Sequence, residues 1–129
     1  MILVDTSVWI EFLNRRQKSV LAEKQLLEFC TCGPVIQEVL QGLREGHGAD
    51  LFREFFSALP ILSNPLRRDT FIFASQIYRN GRRKGITVRS SIDCLIAAIA
   101  IENRSTVWHR DRDFDAIATY TELRTTQRL

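Results

Sequence analysis

"TVWHRDRDFDAIATYTEL", residues 106–123, admits two readings that lead to different folds. Asp111, Asp113 and Asp115 alternate, and Glu122 stands eleven residues after the first of them, the ligand spacing of a calcium-binding loop held between two helices. Such a loop needs glycine at its sixth position for a sharp turn, and here that position is Ala116. Its eighth position is normally a bulky apolar residue, and here it is Ala118. A helix must also enter it. Thr106, Val107 and Trp108, following the break at Asn103–Ser105, favour a strand instead. The stretch therefore reads as a strand, "TVWH", then Asp111, then a short helix that begins among the acids. "TELRTTQ" reads as a last, edge strand.

Strand and helix alternate along the rest of the chain. "ILV" at 2–4 is a short buried strand ending at Asp5, and "TSVWIEFLN" is a helix with Thr6 or Ser7 near its cap. Residues 18–29 form a second amphipathic helix, "FCTC" a strand, and Pro34 suits the start of the helix "PVIQEVLQGL". "ADLFREFFSAL" is a short helix and "PIL" a strand. A longer helix opens on Pro65 and stops at Gly81 and Gly85, and "SSIDCLIAAIAIEN" is a helix. The alternation predicts an α/β sandwich around a mostly parallel sheet, with residues 1–129 forming a single domain. In such sheets the site lies at the C-terminal ends of the strands.

With 129 residues, 45% of them hydrophobic and 26% charged, the chain is long enough for one real core. It has no apolar run of membrane-spanning length, and its N-terminus lacks the basic start of a signal peptide. A cytoplasmic location is expected. Three cysteines, Cys30, Cys32 and Cys94, cannot all pair and lack the partners of a zinc site, so they read as core. The net charge of +3 is compatible with a polyanionic partner. The arginines cluster at 14–18, 66–69 and 80–85, with Arg104, Arg110 and Arg112 near the acidic stretch.

The strand-end rule selects among the carboxylates. Asp5 follows the first strand directly, although an aspartate there also serves as a helix cap. Asp93 is the only polar side chain in "IDCLIAAIAI", residues 92–101. A helix apolar all round is buried, and a buried carboxylate must be paired, hydrogen-bonded or bound to metal. Ser90 and Asp93 also match the spacing of a capping box, which would turn Asp93 back to the backbone. Glu38, among Val35, Ile36, Val39 and Leu40, would be a surface residue if taken alone. Asp111 follows its strand. Asp113 and Asp115 suit the first turn of a helix for dipole reasons alone.

"ILVDTSVWIEFL", "PVIQEVLQGL", "SSIDCLIAAIA" and "WHRDRDF" together, in this order and over essentially the whole chain, resemble the PIN domain, and within it the VapC-type ribonuclease toxins. The resemblance implies an α/β/α sandwich and an endoribonuclease dependent on Mg²⁺ or Mn²⁺. It carries the family's acids onto Asp5, Glu38, Asp93 and Asp111 as catalytic residues. Asp5, Asp93, Asp111 and Asp113 are then the expected metal ligands, and a hydroxyl beside the first aspartate falls on Thr6 or Ser7. A small cognate antitoxin lying across the site and a homodimer are also implied. A housekeeping RNA-processing nuclease and a non-enzymatic metal-binding module remain as alternatives.

The chemistry suits this set. Only two histidines, His47 and His109, are present, so paired imidazole catalysis is disfavoured. Two carboxylates ~5 Å apart repel by roughly 3 kcal/mol at an effective dielectric near 20, so converging acids need a cation or a raised pKa. Arg89, Arg110 and Arg112 flank the site acids and are expected, with Thr6, to contact RNA. Trp9, Phe12 and Leu13 form an apolar stripe that is either core or the antitoxin's groove.

Overall fold

The computed structural model of the chain describes residues 1–14 and 26–128. The helix expected over 18–29 and the basic run at 14–18 lie, apart from their ends, outside the described residues, as do the side chains of Leu13 and His47. The described elements are β1 (Ile2–Val4), α1 (Thr6–Asn14), β2 (Phe29–Cys32), α2 (Gly33–Gly42), α3 (His47–Ala58), β3 (Ile61–Leu62), α4 (Arg68–Arg83), α5 (Ser91–Glu102), β4 (Thr106–Trp108), α6 (Arg112–Ala118) and β5 (Arg124–Thr126).

The strands form one five-stranded sheet in the order β3-β2-β1-β4-β5. Every pairing is parallel. Parallel strands need crossover connections, and here helices supply them, which buries both faces of the sheet. This is the expected α/β/α layering, with "TELRTTQ" supplying the edge strand. From the central β1 the chain adds β2 and β3 on one side, then crosses back to add β4 and β5 on the other. Strand order thus reverses between β1 and β4, and in sheets of this kind the ligand crevice lies beyond the C-terminal ends of the strands at such a reversal. Val4 pairs with Trp108 there, so Asp5 and the residues after Trp108 leave the sheet side by side.

Burial follows the sequence pattern. Leu3, Val4, Phe29, Cys30 and Val107 are wholly buried. In α5, Cys94 and Ile96 to Ala100 are all buried, as a helix apolar on every side requires. It packs against α4, which buries Thr70, Ala74, Ile77 and Gly81, a stripe at helical spacing. The three cysteines are free thiols in the core.

Trp9 does not line a groove. It is 3% exposed, donates its indole N–H to the Val4 carbonyl at 3.1 Å, and is ringed by Phe12, Phe29, Phe52, Phe55 and Phe56. Each such aromatic contact contributes ~0.5–1.5 kcal/mol beyond the area it buries. The α1 stripe is therefore core at Trp9, and the expectation that this residue helps form a partner's groove is overturned.

Two further expectations change in detail. The helix expected to open on Pro65 begins at Arg68, because Arg67 is still extended (φ −91°, ψ 152°). Gly81 does not end that helix. The end is set by Gly85, at φ +76°, where glycine alone avoids the left-handed penalty. Gly85 N–H donates to the Arg82 carbonyl (3.1 Å) and Ile86 N–H to the Gly81 carbonyl (2.9 Å), a Schellman motif. Gly81 is required for another reason: a Cβ there would lie 2.6 Å from Tyr120 Oη and 3.2 Å from the Ile86 carbonyl oxygen. Tyr120 Oη in turn donates to the Ile77 carbonyl (2.8 Å), fastening α4 to the turn after α6.

Gly81→Ala sets two effects against each other. Helix propensity favours alanine by ~1 kcal/mol, whereas forcing atoms into a filled space costs ~1–3 kcal/mol. The contact distances decide for the second, so chemical denaturation should show a net loss of stability. Adding Tyr120→Phe, which removes the nearest atom, should recover part of it. A Gly81→Ala protein more stable than wild type would contradict this packing.

Candidate active site

Asp5 is the first residue beyond β1. Its backbone N–H donates to the Trp108 carbonyl on β4 (2.9 Å), and its own carbonyl accepts the N–H groups of Val8 (3.1 Å) and Trp9 (3.2 Å) as α1 begins. Its Oδ2 accepts from the Ser7 N–H (3.1 Å) and the Ser7 hydroxyl (2.6 Å). The carboxylate therefore caps the helix, and its charge still lies close enough to raise the Asp93 carboxyl. Of the two hydroxyls beside it, Ser7 contacts Asp5, while Thr6 donates to Glu38 Oε1 (3.1 Å). Glu38 is half-buried on α2 and is brought to the crevice through Thr6.

Asp93 does not form the capping box. Ser90 is the N-cap residue of α5 without any side-chain capping bond. The Asp93 carboxylate, in a residue 7% exposed, instead meets the acids that follow β4. One carboxylate oxygen each from Asp93, Asp111 and Asp113 lie within 4.8 Å of one another. Asp111 Oδ1 caps α6 by accepting the Asp113 N–H (3.0 Å). Asp113 Oδ2 accepts from Arg89 Nε (3.2 Å) and the Arg89 backbone N–H (3.4 Å), and Arg89 Nη2 reaches Asp111 Oδ1 (3.4 Å).

The charges in this crevice disturb one another. Burial raises the Asp93 carboxyl, and the negative charges of Asp5, Asp111, Glu38 and Asp113 raise it further, to about 7. Burial also raises Asp5, against the lowering effect of its Ser7 hydrogen bonds. Glu38 is raised by burial and by the charge of Asp5, with the Thr6 hydroxyl acting the other way. An all-oxygen donor set of this kind suits a hard divalent cation, and the raised carboxyls mark a place short of positive charge. The cluster is thus compatible with a divalent metal ion.

The remaining candidates separate. Arg112 is exposed at the start of α6 and makes no ion pair among the described residues. Arg110 is turned away: its guanidinium pairs with Glu11 (2.8 Å), donates to the Gln127 carbonyl and stacks 5.9 Å above the Trp108 ring. Only its backbone faces inward, donating to the Ser7 hydroxyl (3.0 Å). Asp115 points to the far side of α6, toward His109, Thr125 and Gln127, and Glu122 lines a separate surface hollow with Arg104 and Arg124. The calcium-loop spacing is broken in space. Sequence reasoning had no signal for the bond between Ser7 and the Arg110 backbone, which joins residues 103 positions apart.

The PIN domain family model matches residues 2–120. Two curated relatives, the VapC ribonuclease Mb1587 of Mycobacterium bovis and Ribonuclease VapC11 of Mycobacterium tuberculosis, are each 38% identical over 129 residues, covering 95% of this chain and 96% of the relative. Among solved structures, DNA-bound VapBC from Salmonella typhimurium matches with a TM-score of 0.75 at 20% identity, over 97% of this chain and 96% of that one. VapBC2 from Rickettsia felis, bound to a DNA fragment from its promoter, matches with a TM-score of 0.72 at 18% identity, over 98% of both chains. At such identities these structures support the fold, and the near-full-length relatives support the lineage. The chain belongs to the PIN-domain family, among its VapC-type members.

Proposed function

We propose that this protein is a metal-dependent endoribonuclease and the toxin of a type II toxin–antitoxin pair, acting in the cytoplasm as one catalytic domain over residues 1–129. The carrying observation is the convergence of Asp93, Asp111 and Asp113 beyond β4, with Asp5 and Glu38 close enough to raise the Asp93 carboxyl. The relatives named as VapC ribonucleases support RNA as substrate. The neighbours solved as VapBC complexes support a small antitoxin partner. A homodimer is part of the same reading.

In this reading Asp5, Asp93, Asp111 and Asp113 hold Mg²⁺ or Mn²⁺, and Glu38, steadied by Thr6, completes the catalytic acids. A bound cation of this class acidifies water and offsets charge developing on a phosphodiester. Arg89, paired with Asp111 and Asp113, is placed to contact a phosphate of the RNA. Arg112, exposed at the start of α6, contacts the RNA backbone. Arg110, held by Glu11 and Gln127, braces the loop rather than the substrate.

Asp93→Asn is isosteric and removes the most strained carboxylate. It should lower RNA cleavage by at least ~100-fold, the scale of losing one transition-state contact, while the metal-free melting temperature holds or rises. Cleavage at the wild-type rate would refute the assigned site and favour a non-enzymatic module.

A pH dependence follows from the same carboxyl. Its folded pKa of about 7 lies above the ordinary 3.8, so between those values the folded chain keeps a proton that the unfolded chain has lost. Its contribution to metal-free stability is therefore full below pH ~4, declines as pH rises, and is gone above pH ~7. A bound cation favours the ionised form, so the rise in melting temperature produced by millimolar Mn²⁺ should grow between pH ~5.5 and ~8. Differential scanning fluorimetry with EDTA or Mn²⁺ checks this, and a metal effect independent of pH would contradict it.

A further inference from the structure

His109 and Asp115 lie outside the acidic cluster, yet both are fully engaged. His109 is completely buried, its ring tilted against Phe114 at 5.3 Å. Its Nδ1 accepts the backbone N–H of Asp111 at 3.1 Å. Its Nε2 lies 3.1 Å from Asp115 Oδ1. A ring nitrogen that accepts carries no proton, so the proton of the neutral ring sits on Nε2 and is donated to Asp115. Asp115 is itself fixed from the edge of the sheet. Thr125 Oγ1 donates to its Oδ1 (3.3 Å) and Gln127 Nε2 to its Oδ2 (2.8 Å).

We propose that His109, held in its Nε2–H tautomer by Asp115, is a positioning residue that sets the backbone of Asp111 and so aims the Asp111 carboxylate at the cation site. It rests on the metal-site reading given above. The path is continuous: β5 and Gln127 hold Asp115, Asp115 fixes the imidazole, and the imidazole anchors the Asp111 amide. That amide belongs to the residue whose Oδ1 both caps α6 and meets Arg89. A shift of the Asp111 backbone therefore moves two of the three clustered carboxylates, Asp111 directly and Asp113 through the cap. The alternate aspartates divide the labour, with Asp111 and Asp113 facing the crevice and Asp115 holding the histidine behind them. Partners that orient ligands from outside the coordination sphere commonly change metal affinity by ~10–100-fold when removed.

Substitutions at His109 separate positioning from mere filling of space. Asparagine places a polar atom near the Nδ1 position and can still accept from the Asp111 N–H. Glutamine places one near Nε2 and can reach Asp115 but leaves that N–H without its acceptor. Both leave a buried site imperfectly filled and should lose similar thermal stability. His109→Asn should then keep Mn²⁺ affinity within ~3-fold of wild type, whereas His109→Gln should weaken it by ~10-fold or more. Asp115→Ala, at a side chain 46% exposed and so tolerant of change, should also weaken Mn²⁺ binding, while Asp115→Asn, which retains an acceptor for Nε2–H, should not. Without any metal, a long-range ¹H–¹⁵N spectrum should show His109 as the Nε2–H tautomer, and Asp111 amide exchange should speed up in His109→Gln but not in His109→Asn. An Nδ1–H tautomer in the wild type would overturn the proposal, as would equal effects of asparagine and glutamine on Mn²⁺ affinity. Failure of the wild type to bind Mn²⁺ would instead refute the metal site, and the tautomer and the amide exchange would still decide the role of His109.

Discussion

Carboxylates that the fold forces together at the ends of β1 and β4 must be kept from driving it apart. At separations near 5 Å each ionised pair opposes folding by roughly 3 kcal/mol at an effective dielectric near 20, while a whole domain is stable by only ~5–15 kcal/mol. The structure meets that load locally. Ser7 gives two hydrogen bonds to Asp5, Thr6 one to Glu38, the Asp113 amide one to Asp111, and Arg89 spans Asp111 and Asp113. Among the described residues Asp93 has no such partner, and burial together with the charges of Asp5, Asp111, Glu38 and Asp113 pushes its carboxyl to about 7.

Topology explains why these residues meet. The strand order reverses between β1 and β4, and the Val4–Trp108 register places Asp5 opposite the segment that carries Asp111. The buried helix α5 then enters from the side, with Asp93, the carboxylate of its first turn, brought to Asp111 and Asp113. The remaining packing serves that placement. Trp9 and its ring of phenylalanines fix α1 behind Asp5, and the Schellman turn at Gly85 directs the chain toward Arg89.

Much of this was legible in the sequence because the signals were local. An apolar triplet ending at an acid marked β1 with Asp5, a β-branched and aromatic run shortly before an acid marked β4 with Asp111, and one carboxylate in an apolar stretch marked Asp93. What escaped depended on distant partners. Asp93 meets Asp111 and Asp113 from another part of the chain, and Trp9 is core because α3 brings Phe52, Phe55 and Phe56 over it. Gly81 looked like a helix stop because its real constraint, Tyr120, is far along the chain. Asp115 read only as an acid of a helix's first turn, since its partners Thr125 and Gln127 come from the edge strand and the residue just past it.

The central claim is that a divalent cation relieves the charge gathered around Asp93. Calorimetric titration of Mn²⁺ into metal-free protein, repeated in buffers of different ionisation enthalpy, counts the protons released on binding. Because ligands must be deprotonated to bind, the account predicts release of about one proton near pH 6, falling toward none above pH ~8.5. Binding at pH 6 without proton release, or no binding at either pH, would contradict it.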